Sequence, residues 1–514
     1  MSVHDDYDVV VLGGGHNGLV AAGYLARAGL KVIVLERRDI VGGACMTEEL
    51  FPGYRFSACS YICYLLQSQV IEDLELRKHG FEVFAHDPTR FQPFPDGSRL
   101  LLWEDLERTQ QEIARISPRD AQRYPEWLAF WERAAGIIHP YFLRAAPTVD
   151  EIAEGLRGTD DEAFFQRLLT ISMKELLTES FESTQVRAAF THAHDVGDLA
   201  APGSAWCYAH IKTSVRNKPE DVGLVHGGMG GITQAMARSA QSAGVTVQTG
   251  AEVDHILVEN GKACGVALVD GSQVRGRMVI SNADPKRTFL KLVRPEHIDA
   301  DFVQQIDQLK TDAAYLKFHA SLRALPDFSA YFDGEFDPRW LSEIKICSSM
   351  EYFESSWRDA TEGIPSRTPM MEVQIPSVYD PTMAPPGHHV MSIWSCYAPV
   401  RLREGSWEDK RHEVGEHLIN TLAEYAPNIR DAIIDWSLFT PLDIERRGGL
   451  TDGNIRQLDI IPGQFMAQRP MSGWADYRTP ISHLYLCGGG THPGGEVTGA
   501  PGHNAAAAVL ADWG

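Results

Sequence analysis

The order of apolar and polar positions at the beginning of the chain predicts a strand, a helix and a second strand. An apolar run spans Tyr7–Leu12 and ends in a glycine cluster, an Ala-rich segment follows, and a second apolar run covers Lys31–Leu35. Short apolar runs bounded by glycine are typical of buried strands, and the segment between them has the composition of a helix. The pattern therefore predicts one βαβ unit.

The junction between the first strand and the helix carries the motif GxGxxG. Gly13 permits the tight turn, Gly15 lets the backbone approach a pyrophosphate, and Gly18 lets helix and strand pack closely. The phosphates would meet the free N–H groups and the positive end of the helix. Glu36 ends the second strand, 18 positions after the last glycine, where a carboxylate accepts hydrogen bonds from a ribose. The unit therefore predicts a dinucleotide-binding site.

A second glycine-rich junction lies at the other end of the chain. An apolar strand over His483–Leu486 runs into the segment Cys487–Gly502, and an apolar helix is predicted over Asn504–Leu510. This helix start would face the pyrimidine end of a flavin, where negative charge collects on reduction, whereas a nicotinamide needs no such partner. The pair of motifs favours FAD, and the alternative is a plain glycine-rich turn that closes the domain.

A third glycine cluster in the middle of the chain opens another set of elements. Gly227–Gly231 precedes a helix over 232–243, followed by predicted strands over 246–249, 255–259, 263–269 and 277–281. We expect the backbone around Val253 to hold the adenine, with a purely structural meander as the alternative. The fold class is therefore α/β, with a discontinuous, Rossmann-like FAD-binding domain built from 1–90, 206–290 and 471–514.

The remaining residues, 91–205 and 291–470, predict an inserted α+β substrate domain with helices and a mixed sheet. Glu372–Pro376 and Val390–Tyr397 have the apolar character of buried strands. A helix over 127–142 carries an apolar aromatic stripe. A core-facing helix explains this stripe, while a lid over an apolar substrate channel or a shallow membrane contact are alternatives.

Charge and cysteine usage limit the kinds of binding partner and the cellular compartment that the sequence predicts. Lys+Arg 47 against Asp+Glu 69 give a net charge of −22, which disfavours nucleic acid and an anionic membrane surface. No run of about 18 apolar residues predicts a transmembrane segment. The first strand begins by Tyr7, which leaves no room for a secretory signal, and the scattered cysteines are typical of a reduced, cytoplasmic protein. We expect no metal site.

The motifs together resemble the phytoene desaturase-like FAD oxidoreductases within the amine-oxidase-like flavoproteins. Within that family, the chain is most similar to the subgroup of pyridine nucleotide-disulfide oxidoreductase domain-containing protein 2. The resemblance covers essentially the whole chain and rests on GGGHNGLVAAGYLARAG at 13–29, VLERRDIVGG at 34–43, GGMGG at 227–231, SNADP at 281–285, MEVQIPSVYDPTMAPP at 371–386, and the segment 484–502.

The resemblance implies non-covalent FAD and abstraction of a hydride from carbon onto flavin N5. It also implies a set of cofactor-binding residues: Gly13, Gly15, Gly18, Glu36, Gly42, Gly43, Gly489, Gly490, Gly495 and Thr498, with His492 and Gly494 on the same flavin-ring segment. Arg37 and Val253 are two further candidate cofactor-binding residues. The sequence has no second GxGxxG for a nicotinamide and no CxxxxC pair. Reoxidation by O₂, a quinone or another acceptor is therefore expected rather than by NAD(P).

One position departs from the family pattern. The family generally has glycine where this chain has Glu496. A partly desolvated carboxylate beside the flavin suits proton transfer or a cationic group of the substrate, so Glu496 is a candidate catalytic residue. The alternative is that Glu496 points to solvent or caps the last helix. His492 is a second candidate, as a group that orients the ring or the substrate, or as a capping histidine.

Three classes of function remain open at this stage. The first is a dehydrogenase or desaturase that acts on an apolar or cyclic small molecule and passes electrons to an acceptor. The second is a flavin amine oxidase on the same scaffold. The third is a non-catalytic binding module of the same fold, against which the intact glycines and Glu36 argue.

Overall fold

The computed structural model describes residues 7–191 and 197–513. Its strands are β1 Tyr7–Leu12, β2 Val32–Leu35, β3 Thr47–Phe51, β4 Tyr54–Ser57, β5 Val83–Phe84, β6 Arg90–Pro93, β7 Arg99–Leu102, β8 Leu224–Val225, β9 Thr246–Gln248, β10 Val253–Glu259, β11 Lys262–Leu268, β12 Gln273–Ser281, β13 Ala314–Leu322, β14 Glu343–Ile346, β15 Met370–Gln374, β16 His389–Ala398, β17 Ile433–Phe439 and β18 Leu484–Leu486.

The helices, in chain order, connect and cover these strands. They are α1 His16–Arg27, α2 Ser68–Asp73, α3 Leu106–Ala114, α4 Pro118–Ile138, α5 Val149–Leu156, α6 Asp161–Leu168, α7 Met173–Ser180, α8 Thr184–Phe190, α9 Ser204–Lys212, α10 Gly230–Ser242, α11 Pro285–Arg287, α12 Ala300–Asp307, α13 Met350–Thr361, α14 Trp407–Ala423, α15 Ile429–Ala432, α16 Pro441–Gly448 and α17 Ala500–Trp513.

The first sheet joins strands from both ends of the chain. Strands β9, β2, β1, β12 and β18 lie side by side and all pair in parallel, and β10 and β11 extend β12 as an antiparallel meander. Such a parallel sheet needs helices on its faces, and α1, α10 and α17 supply one layer. The α/β, Rossmann-like fold expected from the sequence is confirmed, including its discontinuity along the chain.

The second sheet has the order β17-β13-β16-β15-β14-β6-β7 and is mixed, because β6 and β14 pair in parallel while the other neighbours are antiparallel. One face packs apolar side chains against α14. The other face carries buried polar and charged side chains, and its residues Tyr315, Met370 and Trp394 pack into one cluster with helices α4 and α7 to α9. The exact limits of two domains stay a prediction.

The aromatic stripe predicted over 127–142 lies on α4 and the turn that follows it. Trp127, Trp131, Ile138 and Phe142 are buried in one apolar cluster with α7, α8 and α9. Between them, Leu128 is 40% exposed on the opposite face. The stripe therefore faces the protein core.

The structure adds two general facts about membrane spanning and thiols. No helix within 7–191 and 197–513 combines the length and the apolar character that crossing a bilayer requires. The eight cysteines are free thiols, and all except Cys264 are buried.

Candidate cofactor cleft and active site

The first glycine motif forms a close contact between three segments. Gly13 follows β1 with φ +92°, a conformation that favours glycine, and helix α1 starts directly afterwards at His16. A Cβ atom at Gly15 would lie 2.7 Å from the side-chain nitrogen of Asn282, and one at Gly18 would overlap the carbonyl oxygen of Gly13. These glycines leave the N-terminus of α1 open toward the cleft, as a pyrophosphate site requires.

Glu36 directly follows β2 and lies in the lining of the cleft beside the first glycine motif. Its carboxylate is 6% exposed and accepts hydrogen bonds from the backbone N–H groups of Gly14 and Arg38, each at 2.9 Å. The same side chain lines the cleft next to Val253. Because two donors fix the carboxylate in position, its remaining lone pairs are oriented toward a ligand.

A single cleft connects the two glycine motifs. It encloses about 1010 Å³ of space between atoms, including the part that opens to solvent. Nine of the residues singled out from the sequence line it: Gly13, Gly15, Glu36, Arg37, Gly43, Val253, Gly489, Gly495 and Glu496. The chain thus brings its beginning, middle and end to one elongated site.

The other predicted residues lie behind this lining. Gly42 donates its N–H to the carbonyl of Gly14 at 2.8 Å, and Gly490 donates to the side-chain oxygen of Gln457 at 2.8 Å. Thr498 is fully buried, and its carbonyl accepts from Gln67. Together with Gly18, these residues hold lining segments in place and do not face the cleft themselves.

The C-terminal glycine segment is held by a buried arginine that the sequence analysis missed. The guanidinium of Arg469 donates to the carbonyl of Gly489 at 2.7 and 3.0 Å and to the carbonyl of Arg456 at 2.8 Å. The Arg469 side chain has no exposure to solvent. It therefore fixes the backbone position of the second glycine motif from behind.

Glu496 lies at the end of the cleft opposite Glu36. Its backbone has φ +68°, and its carboxylate accepts from the guanidinium of Arg456 at 2.6 Å. Arg456 also donates to the hydroxyl of Tyr315 at 2.7 Å and lies 5.4 Å from the ring centre of Trp394. Through Arg456, the carboxylate of Glu496 is thus connected to Tyr315 of the second sheet.

The candidate residue His492 and a second histidine, His16, lie differently with respect to the cleft. His492 is fully buried behind the cleft, and its Nε2 lies 2.7 Å from the carbonyl of Tyr141. Burial lowers the pKa of His492 to about 4. His16, which the sequence analysis did not single out, lines the cleft, and burial lowers its pKa to about 4 as well. Both imidazoles are therefore neutral at physiological pH.

Several other lining residues were not anticipated. Asn282, Gln457, Arg287 and Arg447 reach the cleft from segments far from either glycine motif. Only Asn282 had a signal, since it lies within the SNADP match at 281–285. Arg37 was expected to bind cofactor, and the structure shows that it also donates to the backbone carbonyls of Arg446 and Arg447 at 2.6 and 2.7 Å.

The residues of the cleft fit a flavin dinucleotide. A glycine-lined helix N-terminus suits a pyrophosphate, the fixed carboxylate of Glu36 suits a ribose, and the second glycine segment leaves room for a flat ring system. Within 7–191 and 197–513, no cluster of side chains has the composition of a metal site.

Comparison with known proteins agrees with this geometry. Residues 18–510 match the family described as flavin containing amine oxidoreductase. The chain belongs to this family. The match covers nearly the whole sequence, and the protein is an FAD-dependent oxidoreductase.

Two relatives and one solved structure are similar over nearly their full lengths. The chain is 36% identical to pyridine nucleotide-disulfide oxidoreductase domain-containing protein 2 of Mus musculus, covering 99% of this chain and 94% of the relative. It is 29% identical to one component of the limonene dehydrogenase of Castellaniella defragrans, covering 100% and 96%. An oxidoreductase from Methanosarcina mazei shares the fold, with a TM-score of 0.60 at 16% identity over 98% and 100% of the two chains. The superfamily and subgroup inferred from the motifs are confirmed.

Proposed function

We propose that the protein removes a hydride from a carbon atom of a largely apolar or cyclic substrate, as a dehydrogenase or desaturase. The observation that carries this proposal is the single cleft that joins Glu36 to Glu496, where Arg456 links Glu496 to buried aromatic rings. When bound, FAD supplies the two-electron acceptor for such a reaction. The final electron acceptor would be O₂, a quinone or another oxidant.

Aromatic side chains of the second sheet and a neighbouring loop pack together beside Arg456, and we call Tyr61, Tyr315 and Trp394 the aromatic cluster. The rings of Tyr61 and Tyr315 lie 5.2 and 4.7 Å from that of Trp394. Tyr315 and Trp394 are buried, so these rings shield the side chain of Arg456 from water. A flat or cyclic hydrocarbon group packs well against such surfaces.

Glu496 is the proposed proton-handling residue. Its carboxylate lines the cleft and is held by the guanidinium of Arg456, which favours its ionised form. An ionised carboxylate can accept the proton that a substrate hydroxyl or carbon acid loses when its hydride leaves. His492 does not line the cleft, so its proposed role is to position the 489–496 segment through Tyr141.

Non-covalent binding is part of the proposal. Cys487 is the cysteine of the C-terminal motif, and it is fully buried, with its Sγ 3.8 Å from the side-chain oxygen of Asn282. Burial also raises the pKa of this thiol. An inaccessible thiol is a poor nucleophile, which supports a cofactor held by hydrogen bonds and packing alone.

The relative that acts on limonene supports the substrate class, because its name describes dehydrogenation of a cyclic hydrocarbon. The experiment is anaerobic mixing of the flavin-loaded protein with cyclic terpenes and with amines, while the flavin absorbance is followed. We expect bleaching with a compound of the first group. Bleaching with primary amines alone would assign the protein to the amine oxidases.

Amine oxidation is the second candidate, and one observation favours it. The carboxylate of Glu496 lines the cleft, where it could hold an ammonium group. Under air, an amine oxidase would release hydrogen peroxide in step with amine consumption. A dehydrogenase that uses another acceptor would release little peroxide.

A further inference from the structure

The two faces of the second sheet differ in chemistry. On β13, Leu316 and Phe318 point into an apolar core, whereas Lys317 points to the opposite face. We call this opposite surface, formed by β13 to β16 and turned toward the cleft, the polar face. One row of paired residues crosses it from strand to strand: Lys317, Trp394, Glu372 and Lys345.

Two charged residues of this row have their partners within the protein. Lys345 donates to the carbonyls of Ala188 and Thr191 at 2.8 and 2.6 Å and so caps the end of helix α8. Glu372 accepts a hydrogen bond from the hydroxyl of Tyr61. These contacts give both groups a structural role.

Lys317 is different. Its side chain is 1% exposed, and its Nζ has no hydrogen-bond partner among the described residues. In the next row of the polar face, the side-chain amide of Gln374 is 2% exposed and likewise makes no hydrogen bond within the described part of the chain. Burying a cation and an amide without partners is costly, so a protein retains them when a ligand supplies the missing contacts.

The position of Lys317 connects it to the reaction site. Its Nζ lies 5.1 Å from the ring centre of Tyr61, and Trp394, its neighbour across the sheet, packs against Arg456. Arg456 in turn binds Glu496 in the lining of the cleft. The ammonium group therefore lies at the edge of the aromatic cluster, and two side chains, Trp394 and Arg456, separate it from Glu496 in the cleft lining.

We propose that Lys317 binds a carboxylate group of the substrate, while the apolar part of the substrate lies against the aromatic cluster. This inference rests on the proposed function and narrows its substrate class from apolar molecules to apolar or cyclic carboxylic acids. An ammonium group has only donors, so its natural ligand is an anionic oxygen, and it repels a cationic substrate. Glu372 forms no ion pair with Lys317, because Trp394 lies between the two residues in the row and Tyr61 donates to one oxygen of the Glu372 carboxylate. Gln374 offers a second, uncharged donor for the same ligand.

The test uses three probes that share a ring and differ in charge: cyclohexanecarboxylate, cyclohexylmethanol and cyclohexylmethylamine. Each is titrated into the flavin-loaded protein by isothermal calorimetry, with the flavin absorbance as a second readout. We expect the carboxylate to bind at least about tenfold more tightly than the alcohol, the scale of one hydrogen bond to a charged group. The amine should bind more weakly than the alcohol.

Lys317→Met is the decisive variant, because it keeps the length of the side chain and removes the charge. We expect carboxylate affinity to fall by about tenfold or more, to the level of the alcohol, while alcohol affinity stays unchanged. Lys317→Arg should keep most of the preference. Lys410→Met, on an exposed helix position, serves as the matched control and should behave as wild type. If the methionine variant does not fold, Lys317→Gln also removes the positive charge and provides the same test.

Three results would overturn the inference: a wild-type protein that does not prefer the carboxylate, a Lys317→Met protein that retains the preference, or tightest binding of the amine. Binding does not require turnover, so these outcomes are separate from those of the proposed function. A protein that binds the carboxylate through Lys317 but never transfers electrons from any compound would contradict the proposed function alone.

Discussion

The two ends of the cofactor cleft are built in different ways. At the Glu36 end, glycines shape the cleft and backbone N–H groups hold the carboxylate of Glu36. The residues involved lie within a short stretch of the chain. At the Glu496 end, buried charged side chains from separate segments hold the glycine backbone, with Arg456 and Arg469 at the centre. A backbone site depends on local sequence, whereas a side-chain network depends on the tertiary fold. The first end should therefore tolerate distant mutations, and the second should not.

The largest expected effect comes from removing the buried arginine of the second end. Arg469→Met leaves the carbonyls of Gly489 and Arg456 without donors. Unsatisfied buried acceptors cost about 1–3 kcal/mol each, so we expect a loss of more than about 3 kcal/mol in unfolding free energy. The protein should also purify without flavin. Denaturant unfolding and flavin absorbance measure both effects.

The control for this variant is Arg157→Met, because Arg157 is an exposed residue whose ion pair joins it to Glu154, one helical turn earlier. It should change stability by no more than about 0.5 kcal/mol. An Arg469→Met protein with wild-type stability and flavin content would show that the second end does not depend on side chains, and the comparison would fail.

Glu496→Gln is expected to separate chemistry from binding at the same end. The amide can still accept a hydrogen bond from Arg456, so flavin content should stay at the wild-type level. If the carboxylate handles a proton, turnover should fall by roughly 100-fold. The measurement is the rate of flavin reduction by substrate under anaerobic conditions. Unchanged turnover with full flavin content would leave Glu496 with a purely structural role.

At the first end, Glu36→Ala is expected to weaken FAD binding without unfolding the protein. The lost hydrogen bonds to a charged group correspond to roughly 1.5–3 kcal/mol in binding free energy. Equilibrium titration of the apoprotein with FAD measures it. Glu252→Ala, another acidic position in the lining of the cleft, is the matched control and should change affinity by no more than about twofold. Equal effects of both variants would mean that general charge, not a ribose contact, explains the result.

The smallest expected effect is a dependence of stability on pH, which comes from buried histidines near both glycine motifs. Burial lowers the pKa of His16 and of His492 to about 4 and that of His210 to about 3. The ordinary pKa of histidine is about 6.5, so at a pH between that value and the lowered pKa values the unfolded chain binds more protons than the folded protein. Stability therefore falls on acidification through this pH range. Burial raises the pKa of Asp459 to about 6, which acts in the opposite sense over part of this range.

Three histidines outweigh one aspartate in this balance, so thermal stability and flavin retention should decrease progressively below about pH 6.5. Thermal unfolding followed by flavin fluorescence over this range provides the test. His210→Phe, which removes a group that titrates in the unfolded chain, should flatten the profile. A thermal stability that rises on acidification to about pH 5 would show that these histidines do not determine how stability depends on pH.

The same contrast explains what the sequence could predict. Gly13, Gly15 and Glu36 were predictable, because strand, turn and carboxylate follow one another in a single βαβ unit. The discontinuous fold, in which β18 near the end of the chain joins the sheet that contains β1, was also expected from the two glycine motifs. Arg469 and Gln457 gave no local signal, since their partners lie in segments that only the fold brings near.

Lys317 had a signal that the apolar pattern concealed. The segment 314–322 alternates between apolar residues and a series of Lys317, His319 and Ser321, which places the polar residues on one face of a strand. All nine residues of β13 are buried, so neither face is open to water. A buried strand with a polar face indicates a ligand site or a charged interface, and alternation alone cannot distinguish the two.

The most direct test of flavin binding in the cleft is the absorbance spectrum of the purified protein, before and after unfolding and filtration. We predict bands at roughly 375 and 450 nm, as flavin chromophores show, and complete passage of the yellow colour into the filtrate as FAD. A colourless protein that does not take up added FAD would contradict the central claim, because a cleft that joins both ends of the chain would then have another occupant.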